Sequence, residues 1–172
     1  HGWPLASDRW DDQAMVIADA GYRALAYDRR GFVRSSQPWS GYDYDTLADD
    51  LAAVIEQTGA QDAVLAGFSM GGGEVARYMS RHQAKSVSKA VLISSVVPFM
   101  LKTDDNPDGT DQAVFDKIGN GLKEDRDQFF EVCFKDYWVV GMVPIPVRDE
   151  LLQAPPNLPL THTLKPRRAA PP

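Results

Sequence analysis

Apolar and polar positions alternate along this chain in two rhythms. Leu47, Leu51, Val54 and Ile55 recur at helical spacing, with Asp49, Asp50 and Glu56 falling elsewhere around the same cylinder. That predicts a helix opened by Asp45 or Thr46 and closed at Thr58-Gly59. A second helix is predicted from Ser7 or Asp8, as cap, to about Ala20, with Trp10, Ala14, Ile17 and Ala20 on one side and Gly21 as its stop. Between such segments lie short runs with no polar alternation. Tyr22 to Tyr27, Ala63 to Gly67 and Ala90 to Val96 each read as a strand, the last as one buried on both faces. Helices and buried strands in alternation predict βαβ units around a parallel sheet with helices on both faces.

After Pro98 the pattern weakens. Thr103 to Thr110 is a polar loop, and Gln112 to Trp138 holds helical stretches interrupted by Gly119, Gly121 and the charge run Lys123 to Asp127. From Pro144 onward lie eight of the twelve prolines, with no periodicity. The expected organisation is a core over 1–100, a partial helical cap over 101–143 and a Pro-rich, disordered tail over 144–172. The chain opens at His1 with no strand before it, and it reads as a piece of something longer.

Composition narrows the function. A net charge of −6 argues against a nucleic-acid partner. The single cysteine, Cys133, has no partner for an internal disulfide, and no Cys/His cluster suggests a metal. No apolar run approaches the roughly 18 residues of a membrane span. The expectation is a cytoplasmic protein without membrane contact, compatible with a homo-oligomer.

The candidate chemistry sits where the strand 63–67 meets a helix patterned from Met70 to about His82. Gly67-x-Ser69-x-Gly71 has the spacing of a nucleophile elbow. A serine on so sharp a turn needs neighbours without side chains, because backbone and helix pass close to its Cα. The turn lifts Oγ above the sheet, and the helix N-terminus presents N–H groups and partial positive charge beside it. The competing interpretation is a serine that merely caps the helix. A third, dinucleotide binding, takes Gly71-x-Gly73-x-x-Ala76 as a fingerprint, but 85–103 lacks the acid that should follow.

Several stretches together resemble the cofactor-free haloperoxidases and arylesterases of the α/β-hydrolase superfamily: His1-Gly2-Trp3-Pro4-Leu5, Asp28-Arg29-Arg30-Gly31, Ser35-x-Gln37-Pro38-Trp39, Gly67 to Tyr78, and Lys89 to Ser94. The resemblance covers about residues 1–118. It implies a mostly parallel sheet with a helical cap, of which this chain would hold part. It also implies no haem, metal or flavin, and chemistry on a small ester, or on a carboxylic acid with peroxide, in which perhydrolysis leads to halide oxidation. By position, Ser69 would be the nucleophile, the backbone N–H groups of Trp3 and Met70 the oxyanion hole, Gly67 and Gly71 the elbow glycines, and the Trp3 and Phe68 side chains the acyl pocket.

The sequence departs from that pattern at three points. Val33 stands where the family has a glycine, which predicts a strained turn if that position needs positive φ. The family's first strands are absent before His1. The Asp and His that complete a triad with the serine have no recognisable counterparts. His82 lies about 20 Å along the helix from Ser69, His1 is read as orienting its own loop, and His162, Asp149 and Glu150 lack the family's surroundings. An inactive remnant that binds small molecules or partners is therefore the alternative.

Overall fold

A computed structural model describes residues 1–137. The two apolar runs on either side of the glycine-rich helix form its sheet. β1 (Ala63–Phe68) and β2 (Val87–Ile93) pair in parallel, with Leu65 opposite Ala90 and Gly67 opposite Leu92. Parallel neighbours need a crossover, and α3 (Met70–Arg81) supplies it. An earlier helix, α2 (Tyr44–Thr58), packs along α3. The apolar stripe of α2 explains the contact. Ala48, Leu51 and Ile55 are buried with Tyr78 of α3, and Leu65, Met79 and Val87 close over them.

The ends of α2 follow from capping. Asp43, and not Asp45 or Thr46, is the N-cap: its carboxylate accepts from the Thr46 N–H and the Thr46 hydroxyl, both at 2.9 Å. Gly59 ends the helix at φ +64°, where a side chain would be strained. The expected helix over 7–20 is two pieces, a 3₁₀ turn at Ser7–Trp10 and α1 at Asp11–Asp19. Neither Ser7 nor Asp8 caps it. The Ser7 N–H donates to Asp28 instead, and Asp8 pairs with Arg34.

Two strand expectations need correction. Residues 22–27 join no ladder among the described residues, so the apolar run there is not a strand. β2 begins at Val87, three residues before the expected start, and stops at Ile93 because Ser94 turns to φ +42°. Its burial on both faces is not found. β2 pairs only with β1 among the described residues, and Val91, Leu92 and Ile93 are 43%, 44% and 40% exposed.

The chain divides into two compact units, His1–Met100 and one beginning at Leu101. In the second, the polar loop closes on itself through bridges from Leu101 to Thr110 and from Thr103 to Asn106. α4 (Gln112–Glu124) runs through Gly119 and Gly121, which therefore do not interrupt it. The charge run is where α4 gives way to α5 (Arg126–Tyr137), with Asp125 between them accepting from the Gln128 N–H. The expected tail over 144–172 lies outside the described residues.

Candidate active site

Ser69 sits between β1 and α3 at φ +52°, ψ −118°. Such a conformation costs an L-residue about 1–3 kcal/mol and persists only where its surroundings enforce it. Here the enforcement is visible. The Ser69 N–H donates to the Ile93 carbonyl at 2.9 Å, and its own carbonyl accepts from Gly72 at 3.0 Å and Val96 at 3.3 Å. The side chain makes no capping hydrogen bond to α3. The hydroxyl is therefore not used as a helix cap.

Close packing explains the glycines around it. A Cβ on Gly67 would stand 2.7 Å from the Gly72 Cα and overlap the Gly71 backbone. One on Gly71 would meet the His1 carbonyl oxygen at 3.0 Å. One on Gly2 would lie 2.9 Å from the Phe68 ring and 3.2 Å from the Ser69 Cβ. The last two contacts bring the loop His1-Gly2-Trp3 against the elbow. Trp3 follows Gly2 directly, Met70 opens α3, and Trp3, Phe68 and Met70 are all half-buried. The Gly73 position is filled by the Tyr44 ring, 2.6 Å from where a Cβ would be. With Gly71 covered by His1 and Gly73 by Tyr44, the helix start offers no glycine cradle for a pyrophosphate.

Beneath the loop lies a charged cluster that sequence reasoning missed. Arg29 and Glu74 form an ion pair at 2.5 Å with side chains 2% and 4% exposed. The Arg29 guanidinium also donates to the His1 carbonyl at 2.8 Å, and the Tyr27 hydroxyl donates to the other Glu74 oxygen. Arg29 Nη1 is buried without a hydrogen-bond partner among the described residues. Burial, and then the neighbouring Glu74 carboxylate, push the Tyr27 phenol well above its ordinary range, so it remains a donor. A signal for Glu74 was present: it stands three residues after Gly71 and four before Tyr78, on the face that α3 buries.

The histidines are placed by their hydrogen bonds. His1 Nε2 accepts from the Arg29 backbone N–H at 3.1 Å, which puts the ring proton on Nδ1, 3.0 Å from the Gly2 carbonyl. His82 holds Asp49 at 2.9 Å on the surface between α3 and α2. Neither is hydrogen-bonded to Ser69. His162, Asp149 and Glu150 lie outside the described residues. Among the described residues no cluster of His, Cys, Asp or Glu could hold a metal ion, and no helix is long and apolar enough to cross a membrane.

The turn after Tyr27 is built on Asp28. Its carboxylate accepts from the Ser7 N–H at 2.9 Å and from Arg34 Nε at 2.8 Å. Burial alone would raise its pKa, but these hydrogen bonds outweigh burial and hold it below the ordinary value. Val33 in the same turn has φ +29°, the strained conformation expected where the resembling family has glycine.

A parallel sheet, a glycine-lined turn carrying a strained serine, and a loop pressed against it define a class. The chain belongs to the α/β-hydrolase fold family, whose model matches residues 1–131. Over 130 residues, 76% of this chain, it is 53% identical to the bifunctional esterase/perhydrolase of Acinetobacter calcoaceticus, of which that stretch is 47%. It is 48% identical over 131 residues to the non-heme chloroperoxidase of Kitasatospora aureofaciens, with 76% and 48% of the two chains covered. The bromoperoxidase of Bacillus anthracis has the same fold at a TM-score of 0.88 and 38% identity, covering 95% of this chain and 59% of that one. The chain thus spans about half the length of the curated relatives it matches.

Proposed function

We propose that the chain carries the nucleophile and oxyanion hole of a serine esterase that also performs perhydrolysis. The observation that carries this reading is the Ser69 conformation, with its hydroxyl not spent on the helix and the Gly2 backbone packed against it. Ser69 Oγ attacks the carbonyl carbon of a small ester and gives up its proton as the alcohol departs, leaving an acyl-serine. Water then takes the acyl group to give the acid, and hydrogen peroxide in its place gives the peracid, which oxidises halide. The carbonyl oxygen becomes an oxyanion at each addition step. The Met70 N–H, at the positive end of α3, and the Trp3 N–H are its donors, and each is worth roughly 3 kcal/mol in the transition state. The Trp3 and Phe68 side chains line the acyl pocket beside them.

Hydrolysis of p-nitrophenyl acetate by the native chain and by Ser69→Ala tests the reading. The expected outcome is loss of turnover by at least about 10³-fold with an unchanged melting temperature. Equal rates would remove Ser69 from the mechanism. One observation favours a second reading, an inactive relative that binds small molecules: the two described histidines after and before Ser69 are engaged elsewhere. A serine-directed phosphonate separates the two. Rapid labelling of Ser69 requires an activated hydroxyl, whereas a chain that folds but resists the reagent belongs to the second reading.

A further inference from the structure

The Arg29–Glu74 pair is a costly feature to bury. A buried ion pair gains little net stability over apolar side chains of the same size. What it does provide is one geometry. Arg29 Nε bonds Glu74 at 2.5 Å while Nη2 of the same planar group bonds the His1 carbonyl at 2.8 Å. Glu74 lies one turn into α3, the helix that begins at Met70. His1 begins the loop that continues to Trp3. A single guanidinium therefore ties the loop to the elbow helix.

A second set of bonds converges on the same loop. The Arg29 backbone N–H holds His1 Nε2, and His1 Nδ1–H reaches the Gly2 carbonyl. That carbonyl, which also accepts from the Leu5 N–H at 3.0 Å, shares its peptide plane with the Trp3 N–H, and in a trans peptide the two point in opposite directions. Fixing one aims the other. Tyr27 holds the remaining Glu74 oxygen, which leaves the carboxylate no other orientation.

We propose that Arg29 and Glu74 are positioning residues that fix the Trp3 N–H relative to the Met70 N–H, so that the two oxyanion donors are set as one rigid pair. The inference rests on the reading of Ser69, Trp3 and Met70 given above, and it assigns a task to two buried charges that take no part in the chemistry.

The test is the full chain carrying Tyr27→Phe, Arg29→Met and Glu74→Leu together, so that the buried phenol, guanidinium and carboxylate go as a set and only the half-buried His1 carbonyl loses a donor. Its melting temperature should stay within a few degrees of the native value. With p-nitrophenyl acetate, kcat should fall about 10- to 100-fold while KM stays within about twofold. Amide hydrogen exchange over residues 1–5 should accelerate about tenfold with α3 unchanged. Arg29→Lys, which keeps the charge but cannot bond Glu74 and His1 in one plane, should fall between the native chain and the triple variant, and it serves alone if the triple variant does not fold. Unchanged kcat in a folded variant overturns the proposal, as does unchanged exchange over 1–5. If the native chain shows no Ser69-dependent turnover, the catalytic reading fails separately. Exchange then decides the positioning claim alone: acceleration confined to 1–5 upholds it, and native-like exchange removes it.

Discussion

Among the side-chain-bearing residues held at positive φ, Ser69 and Val33 sit in two turns that do so differently. At the elbow, Ser69 at φ +52° is flanked by Gly67 and Gly71, and its backbone is bonded to Ile93, Gly72 and Val96. The missing side chains absorb the crowding, and the one side chain retained carries a hydroxyl. In the turn after Tyr27, Val33 at φ +29° is a β-branched residue in a conformation it rarely adopts, and no chemistry depends on its side chain. That turn is held by the Asp28 carboxylate, gripped by Ser7 and Arg34. Strain at the elbow is matched to a use. Strain at Val33 is tolerated because a hydrogen-bonded carboxylate overrides it.

Three substitutions sharpen or break that contrast, and a fourth sets its scale. The largest effect belongs to Gly67→Ala, which pushes a methyl group into the Gly71–Gly72 backbone and should cost about 3 kcal/mol or more by denaturant unfolding. A cost below about 0.5 kcal/mol would mean the elbow is not close-packed. Asp28→Asn turns an acceptor into a donor facing Arg34 and should cost about 2 kcal/mol. Val33→Gly should stabilise by about 1 kcal/mol, as released strain exceeds the added freedom of the unfolded chain. If it destabilises, the Val33 side chain contributes packing that the comparison omits.

The smallest effect lies outside both turns. Asp49, bonded to Arg81 and then His82, has its pKa lowered to about 2 from the ordinary 3.8. A lowered carboxylate pKa stabilises the fold above the unfolded value, and that contribution fades as pH falls from 3.8 towards 2. Asp28, also lowered, loses its contribution on the same acid side. Asp49→Asn should therefore lower stability slightly at neutral pH, with the difference from the native chain closing as pH falls from about 4 to about 2, which flattens the acid limb. A difference of the same size at pH 2 and pH 7 would contradict the assignment.

Much of this was legible in the chain. The elbow was readable because its steric demand leaves a mark: Gly67 and Gly71 on either side of a serine where an apolar run meets a helix. α2 was readable from its stripe and from Gly59. The run 22–27 misled because apolar content alone does not make a strand; pairing does, and none joins it among the described residues. The Asp43 cap was missed because Asp43, Asp45 and Thr46 are all capping residues within four positions and only geometry selects among them. Arg29 and Glu74 were missed because charges are ordinarily surface groups; the spacing of Glu74 marked its face of α3, but its pairing with Arg29 across 45 residues leaves no local pattern.

The bonds from Ile93 and Val96 to Ser69 carry a practical consequence for anyone evolving this protein. The pitch of the Ser69 backbone is set in part by the segment that follows β2. On the proposed function, a library randomised over 93–96 should yield turnover variants, since it would tilt the Ser69 hydroxyl.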